Sequence, residues 1–288
     1  MIWCRFQKDE LVSYGIVEGD TVVTVEGDPF SDYRTTASKL KLSEVTLLVP
    51  VIPGTFYAIG SNYHDHVVGR AQVKGTKPKF YDTPRVGYRA NSALIATGED
   101  IVKPKDSGPR FEYEGELVAV IGRPARRVSP KDAAECIFGW TIGNDLTERD
   151  WQRADPTNLR GKNADTFKPR NSGLPEFRTI KRRKSGKPRL AMGPWIVTGL
   201  DPRDMTTNVR LNGKTVHSFA TGDMLFGAAE VISAVSRYNT LSRKDVVWLG
   251  TDEVPQSVKP GDVIEIEITG IGVLRNRVVA ARRMTQTT

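Results

Sequence analysis

The chain has 288 residues, 39% apolar and 26% charged, the balance of an ordinary globular protein with room for one large domain plus a small one. No apolar run approaches the length of a bilayer span and Met1–Glu10 carries no signal-peptide pattern, so neither a membrane partner nor export is expected. The net charge of +8 is local: seven of the 42 basic residues fall between Arg178 and Arg189, leaving 35 against 34 acids, so a general nucleic-acid surface is not expected. Cys4 and Cys136 have neither disulfide-framework nor metal-ligand spacing, which points to buried thiols in a reducing cytoplasm.

In chain order, Val12–Val17 and Thr21–Val25 read as strands around the turn Glu18-Gly19-Asp20, and Pro50 and Pro53 close a small N-terminal unit, residues 1–50. Phe56–Ile59 is an apolar strand, and Ser61–Val68 suits a turn entering a helix. Residues 72–110, rich in Lys, Pro and Gly, are expected to include long loops over the surface. Leu117–Ile121 is a buried strand. Ser129–Cys136 has the marks of a helix: a capping Ser129, Pro130 in the first turn, and Asp132 near the positive end. Ile137–Ile142, Trp195–Thr198, Asn208–Leu211, Thr215–Phe219, Val246–Leu249 and Val263–Ile268 are strands, with Asn212-Gly213 a hairpin signal. Leu225–Ser236 is predicted helical. The core should be mostly strand, an α+β chain that is mainly β.

Three acids alternate in Phe111-Glu112-Tyr113-Glu114-Gly115-Glu116-Leu117. Residues two apart on a strand share a face, so Glu114 and Glu116 project together, and Gly115 admits a close neighbour. Such a pair needs protons or a cation, although a solvent-facing acidic edge fits equally well. Asp145, after the strand that ends at Gly143, offers a third carboxylate; Asn-Asp is also an ordinary turn. His64 and His66 share one loop, where a histidine suits proton abstraction from water, with zinc ligation by both as the alternative. Lys162 can meet a substrate carboxylate or stand solvated. Gly250-Thr251 can offer an amide and a hydroxyl, or be a plain turn.

Taken in order, Asn62-Tyr63-x-x-His66, Tyr113-Glu114-Gly115-Glu116-Leu117 and Gly143-Asn144-Asp145-Leu146-Thr147-Glu148-Arg149-Asp150 resemble the fumarylacetoacetate hydrolase family. So do Gly161-Lys162 through Thr166-Phe167, Asn212-Gly213, Thr221-Gly222-Asp223-Met224, Gly250-Thr251, Lys259-Pro260-Gly261-Asp262 and Gly270-Ile271-Gly272. The resemblance implies a mixed β-sandwich roll with few helices over residues 51–288, usually a homodimer, holding Mg²⁺ or Mn²⁺. It places metal ligands at Glu114, Glu116 and Asp145, the catalytic histidine at His66, the active-site lysine at Lys162 and a substrate-carboxylate contact at Thr251. Tyr63 and His217 complete the expected substrate contacts.

The chain also departs from the family's pattern. Many acylpyruvate-cleaving relatives have a glutamate three residues after the histidine, where this chain has Gly69. His217 replaces a glutamine, and the Gly-Thr-Pro loop reads Gly250-Thr251-Asp252-Glu253. Residues 170–191 look like a basic insertion loop, too charged to bury itself. The resemblance implies hydrolysis of a carbon–carbon bond in an acylpyruvate or related β-diketo acid. Decarboxylation or tautomerisation of a 2-oxo acid and hydration of a 2-oxo-enoic acid are the alternatives at the same site. A non-catalytic protein binding through the basic insertion is the reading from another class. With Gly69 unable to steady His66, Asp252 or Glu253 is expected to partner it, with Asp65 and His64 as the nearer rivals.

Overall fold

The computed structural model describes residues 1–150, 190–254 and 256–281. Its strands are β1 (Ile2–Lys8), β2 (Leu11–Glu18), β3 (Thr21–Gly27), β4 (Tyr33–Lys41), β5 (Thr46–Leu47), β6 (Phe56–Gly60), β7 (Arg85–Tyr88), β8 (Leu94–Ile95), β9 (Ile101–Lys103) and β10 (Phe111–Glu112). They continue with β11 (Gly115–Ile121), β12 (Ile137–Asn144), β13 (Thr147–Glu148), β14 (Leu190–Val197), β15 (Thr206–Leu211), β16 (Lys214–Ala220), β17 (Val246–Trp248), β18 (Val263–Ile268) and β19 (Gly272–Ala280). Three α-helices interrupt these described strands: α1 (His64–Lys74), α2 (Pro130–Ala134) and α3 (Ala228–Ser236). No described helix is long and apolar enough to cross a membrane.

The main sheet runs β4-β3-β2-β1-β14-β12-β11-β17-β6-β7, and a second sheet runs β16-β15-β18-β19-β9. Every residue of β11 is buried, as a central strand covered on both faces requires. In β18, Ile264, Ile266 and Ile268 point inward while Glu265 and Glu267 face out, the period-2 pattern of a half-buried strand. Ile266 and Val209 of this second sheet press against β11 at Gly115, where a Cβ would lie 3.2 Å and 3.1 Å from their side chains. The absent side chain lets the two sheets close over the carboxylate strand. Residues of β1 to β3 form a small cluster of their own, Cys4, Phe6, Val17 and Val22, yet β1 pairs with β14 and so extends the main sheet.

Ser129 caps α2 as expected, its hydroxyl accepting the Asp132 N–H at 3.2 Å. Helix α3 begins three residues later than predicted. The N–H groups of Leu225 and Phe226 donate to Asn62, so this segment is tied to the loop before α1 and starts its helix after Gly227. Within residues 72–110, α1 continues to Lys74 and three short strands follow, with loops between them. β7 is only four residues long, too short for the alternation of Val86 and Tyr88 to stand out in the sequence. The expected insertion ends too late, because Leu190 and Ala191 are buried in β14; residues 170–189 and Lys162 lie outside the described residues.

On β12, Gly143 lies opposite Glu116 and beneath the ring of Trp248, where a Cβ would come within 2.5–2.8 Å of three ring carbons. Gly143→Ala should therefore overpack the site's floor, removing about 1–3 kcal/mol and lowering Tm by several degrees. An unchanged Tm would show that Trp248 moves aside freely.

Candidate active site

Antiparallel pairing of β11 with β12 sets the start of one strand against the end of the other, with Gly115 opposite Asn144 and Glu116 opposite Gly143. The turn is locked by Asp145 N–H to the Glu114 carbonyl at 2.8 Å and by Glu114 N–H to Asn144 Oδ1 at 3.2 Å. Glu114, Glu116 and Asp145 thereby bring one oxygen each within 4.8 Å of one another. All three are nearly buried, at 9%, 2% and 3% exposure. Burial, then the charges of Asp145 and Glu114, push the Glu116 carboxyl well above the usual range. Its partial relief comes from the Gly250 N–H at 2.8 Å, delivered by a glycine in left-handed backbone, φ 85°. Closely set, all-oxygen donors of this kind suit a hard divalent cation.

Four arginines frame the carboxylates, and the sequence reading assigned a role to none of them. Arg89 grips Asp145 with two bonds, 2.6 Å and 3.2 Å. Arg149 bridges Glu114 and Glu112, the latter at 2.6 Å. Glu112 also receives Arg110 at 2.8 Å and Arg70 at 3.3 Å. Burial alone would push the Glu112 carboxyl up, but Arg149 and Arg110 outweigh it and hold it low. Arg149 sits inside a motif already singled out. Arg89 lies in the stretch expected to include long loops, where no local pattern announced it.

His66, in the first turn of α1, is partly buried with Nδ1 2.5 Å from the Glu253 backbone carbonyl. A carbonyl only accepts, so Nδ1 carries the proton and Nε2 keeps its lone pair. Burial lowers the His66 pKa, Arg70 and Arg149 push the same way, and Glu114 and the Glu253 bond oppose them. The imidazole is therefore neutral at neutral pH. The expected carboxylate partnership takes another form, because Glu253 meets His66 through its main chain. Its carboxylate turns instead to the Gly115 N–H at 2.7 Å and the Thr251 hydroxyl at 3.3 Å. At position 69 a Cβ would meet only the side chain of the exposed Val254 of the same loop. The nearer rivals are occupied elsewhere, since His64 and Asp65 pair with each other at 2.9 Å on the surface and His64 stacks on Phe80. With His64 outside and His66 inside, the two do not converge on a zinc ion.

The other candidates are placed as follows. Tyr63 is buried and gives its hydroxyl to the Thr221 carbonyl at 2.7 Å. Thr251 is buried against Glu253. His217 Nε2 lies 3.9 Å from Asp252 Oδ2.

The family profile described as fumarylacetoacetate (FAA) hydrolase C-terminal matches residues 55–279, and an Rv2993c-like N-terminal profile matches residues 1–50. The chain belongs to the fumarylacetoacetate hydrolase family. Protein Rv2993c of Mycobacterium tuberculosis is 30% identical over 96% of this chain and 97% of its own. Oxaloacetate tautomerase YisK of Bacillus subtilis is 29% identical, covering 82% of this chain and 74% of its own. The crystal structure of a 5-carboxymethyl-2-hydroxymuconate delta-isomerase from Mycobacterium smegmatis superposes with a TM-score of 0.79 at 31% identity, covering 97% and 100% of the two chains.

Like other members of the fumarylacetoacetate hydrolase family, the chain is an enzyme, and the family is typically metal-dependent. Its buried Glu253 makes stability depend on pH. Burial pushes that carboxyl from 4.5 up to about 8 in the folded chain. Between these values the unfolded state binds fewer protons, so the stability is full below about 4.5 and is lost as pH climbs through about 8. Metal-free protein should melt lower at pH 8 than at pH 5, and Glu253→Gln should flatten that slope. Equal slopes for both proteins would show that Glu253 ionises freely.

Proposed function

We propose that the chain is a Mg²⁺- or Mn²⁺-dependent enzyme that moves a proton on a small 2-oxo acid, interconverting its keto and enol forms or isomers. The observation that carries this reading is the neutral, partly buried His66, whose Nε2 has no hydrogen-bond partner among the described residues, in the charge field of Glu114. Glu114, Glu116 and Asp145 would hold the cation, which supplies positive charge for the oxo and carboxylate oxygens of the substrate. Arg89 and Arg149 fix two of these carboxylates before substrate arrives. His66 Nε2 takes the proton from the carbon beside the oxo group, and the Glu253 carbonyl steadies the imidazolium that forms. Lys162 belongs to the proposal by resemblance, as a charge for the developing oxyanion, and so do a homodimer and a cytoplasmic setting.

The similarity to proteins described as a tautomerase and an isomerase supports proton transfer, and so does Gly69, which leaves no carboxylate at the position expected beside a water-activating histidine. Hydrolysis of an acylpyruvate is the second reading. It is favoured by Glu253, a buried carboxyl pushed up to about 8 and able to hold a proton near neutral pH.

Oxaloacetate and an acylpyruvate, each offered with Mn²⁺, separate the readings. The proposal expects faster enol–keto conversion of oxaloacetate and a fall in kcat of about 10²-fold or more in His66→Ala. Release of pyruvate from the acylpyruvate, with oxaloacetate converting no faster than in buffer, would install the hydrolase. Full rates in His66→Ala would remove His66 as the base.

A further inference from the structure

The site has a second histidine whose placement the proton transfer by His66 leaves unused. In the hairpin of β15 and β16, His217 lies directly opposite Val209, and opposite residues of an antiparallel pair share a face. Val209 is the residue that presses on Gly115, between the two site glutamates. Gly115 projects from β11 on the side away from Glu114 and Glu116, so it is Asp252, in the loop whose Gly250 N–H meets Glu116, that brings His217 to the site. Its ring lies 5.4 Å from that of Phe219, which lies 5.4 Å from that of Tyr63, the residue capping the helix that carries His66.

The ring is about one-third exposed at 34%, but its Nε2 is buried and has no hydrogen-bond partner among the described residues. The carboxylate facing that nitrogen is Asp252, 3.9 Å away, which also borders the backbone N–H of His66. This separation suits an ion pair once the imidazole is protonated, and such contacts commonly tighten when substrate binds. Nδ1 is left as the ring nitrogen available to a ligand. Both residues stand where the family's pattern has other types, glutamine and proline, and the fold brings the two replacements together. A keto–enol conversion needs two proton positions, one at carbon and one at oxygen, and a single histidine serves one of them.

We propose that His217 is the second proton carrier of this site, exchanging a proton with the substrate's enol oxygen, and that Asp252 is the residue positioning it. The assignment rests on the proton-transfer reading of the enzyme. In the enolising direction the C3–H bond breaks and its proton goes to His66 Nε2. The electron pair becomes the C2–C3 double bond, and the carbonyl π pair moves onto the oxygen. His217, entering as imidazolium beside Asp252, gives its Nδ1 proton to that oxygen and becomes neutral. Water then returns a proton to His217 and removes one from His66.

Two probes divide these half-steps. Replacement of the C3 hydrogens of pyruvate by deuterium in D₂O, followed by NMR, requires only the carbon-side carrier. Conversion of oxaloacetate between enol and keto forms requires both. With the fold checked by melting, His217→Gln should lose oxaloacetate conversion about 10²-fold in kcat while pyruvate exchange persists; His66→Ala should lose both. Asp252→Asn should lower kcat for oxaloacetate at unchanged KM, and Asp252→Glu should restore it. The proposal is overturned if His217→Gln converts oxaloacetate within twofold of wild type, if only KM rises, or if exchange and conversion fall together in a folded protein. Failure of the underlying reading looks different: wild-type protein would then neither exchange pyruvate nor convert oxaloacetate.

Discussion

Three buried carboxylates within 4.8 Å of one another repel, and the surrounding structure is arranged around that repulsion. Arg89 clamps Asp145, Arg149 ties Glu114 to Glu112, and the Gly250 amide answers Glu116. Each of these contacts reaches one or two of the three groups, and a cation shared by all three is the proposal made above. The fold serves the cluster through two absent side chains. Gly115 lets the second sheet close over β11, and Gly143 lets Trp248 lie beneath the turn that presents Asp145.

The loop from Gly250 to Val254 does work that would otherwise fall to several elements. Its first amide meets Glu116, the Glu253 carbonyl sets the tautomer of His66, and Val254 fills the space beside Gly69. Glu253 closes the loop onto Gly115. His66 and the carboxylate trio are thus linked through five consecutive residues. A base held by a neutral carbonyl suits proton movement on an activated oxo acid, because it needs no second charge beside the carboxylates.

Much of this was legible in the sequence because it is local or ordered along the chain. The alternation of Glu114 and Glu116, the strand-end Asp145 and the Ser129 cap each follow from a short-range rule, and the order of motifs gave the family. What stayed hidden depends on tertiary contact. Arg89 and Arg110 carry no periodic signal, and their value appears only when β7 and β10 lie beside the site. Glu112 looked equivalent to its neighbours, yet it sits on β10 paired with β13 and collects three arginines instead of joining the trio. The Glu253 contact with His66 runs through a main-chain carbonyl, which no side-chain pattern encodes. The start of α3 was misplaced for the same reason, since Asn62, 163 residues upstream of Leu225, claims its first amides.

If one shared divalent cation relieves the repulsion among Glu114, Glu116 and Asp145, it should be visible directly. Anomalous diffraction at the manganese edge, on crystals soaked in Mn²⁺, tests it most directly. A single strong peak is expected about 2.0–2.6 Å from an oxygen of each of the three carboxylates, lost in Glu116→Gln crystals. A peak elsewhere, or an empty site with the Arg89–Asp145 bonds intact at saturating Mn²⁺, would contradict it.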